Sequence, residues 1–131
     1  MGTLIPDSQE VPTTLQGFFD IAWKWMHRPE AKLCKSLRTG ACYNRNKANT
    51  NACIIGAAFP DSLIPPERNS IPVDCLIGIL GVSKDFKFLD KLRYKLMDLQ
   101  ICHDKAENVQ DCIELLKDFA IDYSLTIPKL S

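Results

Sequence analysis

Three stretches of this chain repeat apolar residues at the 3.6-residue spacing of an α-helix. The first begins after Thr13 or Thr14, either of which can cap a helix, and Pro29 disfavours helix beyond Arg28. Its apolar face consists of Leu15, Phe18, Phe19, Ala22 and Met26. This stretch predicts a helix near residues 14–28.

The other two periodic stretches lie in the C-terminal half of the chain. Ser83 can cap a helix whose leucines at positions 89, 92, 96 and 99 share one face, and His103 stands where this helix should end. Asn108 can cap the next helix, whose apolar positions run from Val109 to Tyr123. We therefore expect helices near residues 83–103 and 108–123.

The remaining stretches lack such long periods. Short apolar segments at 42–43 and 52–55 flank an asparagine-rich run, which predicts a small hairpin or a loop element near residues 41–56. Four prolines interrupt residues 59–72, residues 73–80 suit a short buried helix, and residues 1–12 form an irregular arm. The expected architecture is one mostly α (α+β) domain over residues 1–131.

Composition excludes several classes of protein. The 131 residues are 46% hydrophobic and 24% charged, with 16 basic and 16 acidic residues. A net charge of zero argues against non-specific binding to nucleic acid or anionic membrane. No apolar run reaches the roughly 20 residues of a membrane span, and the N-terminus lacks the pattern of a secretory signal. We therefore expect a cytoplasmic protein whose six cysteines are reduced.

The charge is nevertheless unevenly distributed. Residues 24–47 contain seven basic residues and one acidic residue, whereas residues 98–131 contain seven acidic and three basic residues. The asymmetry indicates either two solvated faces or a local anion site. For an anion such as a nucleotide, the candidate ligands are Arg38, Arg45 and Lys47, with Tyr43 available to stack on a base.

Catalytic and metal-binding patterns are weak. The two histidines do not form a metal-binding motif, and no glycine-rich loop is placed to cradle a phosphate. Cys53, His103 and Asp61 could form a thiol or metal-assisted hydrolase, but a buried structural cysteine and a helix-end histidine explain the same residues. We assign no catalytic residue, metal or cofactor, and we lean against an enzyme.

Three segments carry a family resemblance. Cys42-Tyr43-Asn44-Arg45 comes first, Cys53-Ile54-Ile55-Gly56 with Pro60-Asp61 follows, and Leu99-Gln100-Ile101-Cys102-His103-Asp104 comes last. This order resembles a group of small uncharacterised bacterial and phage proteins with Cys-x-Tyr-Arg, Cys-Ala-(Ile/Val)-Gly, Ile-Pro-Asp and Leu-Gln-x-x-His-Asp segments. The resemblance covers about residues 15–125. This chain departs from it at Ile54, at Phe59 and in having Asn44 before Arg45.

The resemblance implies a small phage-associated or mobile-element domain and no known reaction. The positions that match could converge in the fold: Cys42, Tyr43, Arg45, Cys53, Gly56, Pro60, Asp61, Gln100, His103 and Asp104. His103 and Asp104 at the helix end could brace the loop at residues 53–61, or the same polar cluster could line a small ligand site. We expect His103 in particular to hydrogen-bond this loop, and its replacement by alanine to cost about 1–2 kcal/mol of stability.

Three functions follow from these observations. The leading hypothesis is a non-enzymatic protein that inhibits or neutralises a host or toxin macromolecule through its surface. The second is a binder of a small anionic ligand such as a nucleotide, and the third is the hydrolase described above. The ligand-binding candidates are Arg38, Tyr43, Arg45, Lys47, Asp61, Gln100, His103 and Asp104.

Overall fold

Among the residues that the structure describes, four α-helices and three short 3₁₀ turns make up the regular structure. A computed structural model describes residues 4–35, 45, 50–64 and 73–129. The helices are α1 (Leu15–Met26), α2 (Val73–Leu80), α3 (Leu89–Asp104) and α4 (Val109–Asp122). The 3₁₀ turns are Gly56–Ala58, Asp61–Leu63 and Lys84–Phe86. The expectation of a mostly helical fold is confirmed.

The helix caps follow the sequence, with one correction. Thr14 caps α1 by accepting a hydrogen bond from the Gly17 N–H at 3.1 Å, and Asn108 caps α4 through the Asp111 N–H at 2.8 Å. Ser83 caps the 3₁₀ turn at Lys84–Phe86 instead of the long helix, which begins at Leu89. The turn and α3 together cover the stretch that the periodicity predicted as one helix.

The hairpin alternative near residues 41–56 is not seen in the part that the structure describes. Residues 50–55 are irregular, and the turn at Gly56–Ala58 follows them without a strand. Residues 41–44 and 46–49 of this prediction lie outside the described residues. Where it is described, the element is therefore a loop.

The core lies between α1, α3, α4 and this loop. Helix α1 packs on α3, α4 and the Gly56–Ala58 turn, and α2 packs on α3. Phe18 and Phe19 of α1 are buried, with Phe18 facing Phe59 of the loop at a ring distance of 5.9 Å and Phe19 stacking on Phe119 of α4 at 6.2 Å.

None of the helices in the described ranges combines the length and apolarity of a membrane span.

An unusual feature of this core is its long irregular segment. Residues 51–60 are all buried, although only Gly56–Ala58 has repetitive backbone. A buried loop has backbone N–H and C=O groups that neither a helix nor water satisfies, and leaving such groups unpaired costs free energy. The partners of these groups therefore position the candidate site.

Candidate functional site

Arg45 is a hub of the buried loop. Its side chain is 3% exposed. Nη1 donates to the carbonyl of Gly56 at 2.6 Å, Nη2 donates to the carbonyl of Phe59 at 2.5 Å, and Nε donates to Oδ1 of Asp61 at 3.1 Å. Burial lowers the pKa of Arg45, while the hydrogen bond and the charge of Asp61 oppose this shift. The planar guanidinium thus satisfies two loop carbonyls and one carboxylate at once.

Asp61 connects the same hub to the N-terminal arm. Its carboxylate accepts hydrogen bonds from the backbone N–H groups of Leu4 at 2.8 Å and Ile5 at 3.1 Å. Its own backbone N–H donates to the carbonyl of Ile5 at 2.9 Å. The side chain is 22% exposed, so it forms a partly buried ion pair with Arg45. These bonds fix the irregular arm on the loop.

His103 lies at the end of α3 and is fully buried. Its Nε2 accepts a hydrogen bond from the backbone N–H of Cys34 at 3.0 Å, which requires that nitrogen to be unprotonated. The neutral ring therefore carries its proton on Nδ1, which lies 3.2 Å from Oδ1 of Asp104. The expected position at the helix end is correct. The expected partner is wrong, because His103 holds the segment at Cys34 and not the loop at 53–61.

Gln100 makes the contact that was expected of His103. Its Oε1 accepts from the backbone N–H of Ile55 at 3.4 Å, and its Nε2 donates to Oδ1 of Asp104 at 2.7 Å. Lys35 donates from Nζ to the carbonyls of Asp104 and Ala106, which caps the C-terminal end of α3. Gln100, His103 and Asp104 therefore join two chain segments to one helix end.

A second set of polar residues was missed by sequence reasoning. Asn51 accepts from the Arg28 guanidinium at 2.6 Å and from the Ala52 N–H at 2.9 Å. The indole N–H of Trp25 donates to the carbonyl of Ala52 at 2.9 Å, and Arg28 stacks on the Trp25 ring. The available signal was the position of Asn51, a polar residue directly before the apolar run at 52–55.

Cys53 has the environment of a structural thiol. It is buried, its Sγ accepts a hydrogen bond from the Gly56 N–H at 3.2 Å, and burial raises its pKa to about 12. A nucleophilic cysteine needs a lowered pKa and an adjacent base. Nε2 of His103 is already bonded to the Cys34 N–H, and Asp61 is bonded to Arg45. This geometry does not suit a thiol hydrolase.

The structure therefore brings the candidates together as two separate clusters. One is Arg45 with Asp61, and the other is Gln100 with His103 and Asp104. Arg38, Tyr43 and Lys47 lie outside the described residues. Within the described ranges, no three His, Cys, Asp or Glu side chains are grouped so that they could hold a metal ion.

The first prediction concerns His103→Ala. The change removes the acceptor of the buried Cys34 N–H and leaves a cavity, so we expect the free energy of unfolding in urea to fall by about 2–3 kcal/mol. Lys105→Ala, which changes an exposed side chain directly after α3, is the matched control. Its unfolding free energy should stay within about 0.5 kcal/mol of the parent value. An equal effect of the two changes would contradict the bracing role of His103.

The second prediction concerns the Cys53 thiol. Because its pKa is raised to about 12, the folded protein keeps the proton at alkaline pH after the unfolded chain has lost it. The unfolding free energy should therefore decline from about pH 9 towards pH 12, and less steeply in Cys53→Ala. Alkylation at about pH 8, mapped by mass spectrometry, should modify exposed Cys75 long before Cys53. Cys53 labelling as fast as Cys75 would show an activated thiol instead.

The sequence matches no protein-family model, no curated protein and no solved structure. The resemblance to small bacterial and phage proteins accordingly stays a prediction. What can be said of function rests on the geometry of the two clusters and on the surface around them.

Proposed function

We propose that this protein is a non-enzymatic binding protein that acts through its outer surface on a macromolecular partner. In the form that the sequence suggests, it is a cytoplasmic phage or mobile-element protein that inhibits or neutralises a host or toxin macromolecule. One observation carries the proposal: four of the candidate side chains that the structure describes, Arg45, Asp61, Gln100 and His103, are hydrogen-bonded to the protein's own backbone.

The use of these side chains inside the fold is the first support. The Arg45 guanidinium holds two carbonyls and a carboxylate, and both ring nitrogens of His103 face partners within the chain. A catalytic group must instead be within hydrogen-bond reach of a substrate. Of the residues in the two clusters, only Asp104 has an exposed side chain, which is 41% exposed. Surface recognition therefore fits the described residues better than chemistry does.

Capture of a small anion has less support. It was based on a basic segment in which Arg45 is now bonded to Gly56, Phe59 and Asp61. The remaining candidates, Arg38, Tyr43 and Lys47, lie outside the described residues. No observation specifically favours a nucleotide.

Apolar residues on the surface are the second support. Among the described residues, six large hydrophobic side chains are exposed instead of packed in the core: Ile79, Val82, Tyr94, Ile101, Ile121 and Ile127. Single exposed apolar residues are ordinary, but Tyr is enriched among the residues that anchor protein interfaces, and the buried centre of an interface is more apolar than the rest of the surface. They provide surface anchors that do not depend on either polar cluster.

The third prediction is that affinity capture from a matched host retains one partner in stoichiometric amount. Five variant baits each replace one exposed residue by lysine, at Ile79, Val82, Tyr94, Ile101 or Ile121. One or two of these baits should lose the partner and the others should keep it, because a few anchors carry most interface energy. The captured partner, purified separately, should bind the parent protein with a measurable enthalpy in calorimetry.

The control bait is Gln100→Glu, which changes a buried cluster residue without altering the surface anchors. Provided that its circular dichroism matches the parent, it should retain the partner. Loss of binding in this variant alone would point to the cluster as the site. A rise in melting temperature with millimolar nucleotides, without any captured macromolecule, would support the small-ligand alternative instead.

A further inference from the structure

The α3–α4 hairpin presents an outer face that points away from α1. On α3 this face consists of Lys91, Tyr94, Lys95, Asp98 and Ile101, and on α4 of Glu114, Lys117, Asp118, Ile121 and Asp122. All ten side chains are exposed. Residues 105–108 are the whole link between the two helices, which makes the helices antiparallel neighbours.

The two helices are in register such that the middle of α3 lies beside the end of α4. The hydroxyl of Tyr123, just past α4, donates to Oδ2 of Asp98 at 2.5 Å. Nearer the link, Cys102 Sγ lies 3.6 Å from the carbonyl of Leu115. Lys95 is consequently about level with Asp122, whereas Lys91 lies about one turn beyond it and Asp118 about one turn nearer the link.

The charges at this end are opposite in sign and equal in spacing. Lys91 and Lys95 are four residues apart on α3, and Asp118 and Asp122 are four residues apart on α4, so each pair forms a stripe one helical turn long. Among the described residues none of these four side chains has an ion-pair partner within 4.0 Å, whereas Lys117 is paired with Glu114. The stripes are thus available to another molecule.

Two large apolar side chains stand beside these charges. Tyr94, on α3 next to Lys91 and Lys95, is 78% exposed, and Ile121, on α4 next to Asp118 and Asp122, is 76% exposed. Ile101 lies two turns after Tyr94 on the same face and is 42% exposed. Apolar anchors flanked by charged residues are the arrangement of a protein interface, with a hydrophobic centre and a polar rim.

We propose that this face binds a second copy of the same chain. A two-fold axis that runs parallel to α3 and α4, just outside the hairpin, places α3 of each copy over α4 of the other without reversing its direction. Lys95 then meets Asp122 of the second copy, with Lys91 about one turn to one side of this contact and Asp118 about one turn to the other, and Tyr94 meets Ile121. The contacts occur twice because a two-fold interface is self-complementary. The product is a four-helix layer at the centre of a dimer.

The size of the face sets the expected strength of this dimer. Helix α3 is 16 residues long, which corresponds to about 24 Å, and two adjacent helices are roughly 20 Å wide. Each copy would therefore bury on the order of 500 Å², at the lower end for a specific interface. We expect a reversible dimer with a Kd of about 1–100 μM, weakened by salt because the charges lie at its rim.

The experiment is a charge exchange followed by sedimentation equilibrium. The purified parent chain is measured from about 1 μM to about 1 mM, the range that brackets the expected Kd. In a dimer of Lys91→Glu/Lys95→Glu, glutamates on α3 face aspartates on α4 at both contacts. In a dimer of Asp118→Lys/Asp122→Lys, lysines face lysines at both contacts. Each variant alone should dimerise at least about 100-fold more weakly than the parent. An equimolar mixture of the two should dimerise again, because both contacts of the mixed pair then join opposite charges.

Lys24→Glu/Lys32→Glu is the matched control for Lys91→Glu/Lys95→Glu. It makes the same change in net charge at exposed positions outside the hairpin. It should dimerise like the parent, and all variants should keep the parent's circular dichroism because the changed residues are exposed. A parent chain that stays monomeric at about 1 mM overturns the proposal. So does a mixture that fails to dimerise, or a pair of variants that dimerise as the parent does. No partner from a host is needed, so the outcome is independent of the proposed function.

Discussion

The rest of the structure depends on one constraint, which is that ten consecutive residues of mostly irregular backbone are buried in the core. Ile54, Ile55 and Phe59 are fully buried within this segment, and their burial provides a hydrophobic gain. That gain is kept only if the accompanying N–H and C=O groups find partners. Side chains supply several of them: Trp25 at Ala52, Gln100 at Ile55, and Arg45 at Gly56 and Phe59. The polar residues in the interior are therefore a consequence of the buried loop.

This dependence explains why the same residues resembled a functional site. Polar groups that must converge on a buried loop have the composition of a binding site, namely arginine, aspartate, glutamine and histidine close together in an apolar setting. In this fold their donors and acceptors face the backbone of the chain itself. The recognition that we propose would therefore use the surface, where exposed apolar residues and uncompensated charges lie on the outer face of the α3–α4 hairpin.

The helices could be predicted from the sequence, since their apolar periods and the caps at Thr14 and Asn108 are local signals. The residues of both polar clusters could also be selected from their types and order. Their partners could not. His103 contacts Cys34 and Gln100 contacts Ile55, across 69 and 45 residues of chain. The rotation of α3 and the packing of the loops decide whether Gln100 or His103 reaches a given segment. Neither the rotation nor the packing has a local signature in the sequence.

The most direct test of the account is the unfolding free energy of Arg45→Lys, measured in urea beside Arg93→Lys as a control. A lysine ammonium keeps the charge but cannot reach the two carbonyls and the carboxylate that the guanidinium joins. If Arg45 satisfies the buried loop, the substitution should cost at least about 2 kcal/mol, whereas the control should stay within about 0.5 kcal/mol of the parent. An Arg45→Lys protein as stable as the parent would contradict the account, because the arginine would then not be holding the loop.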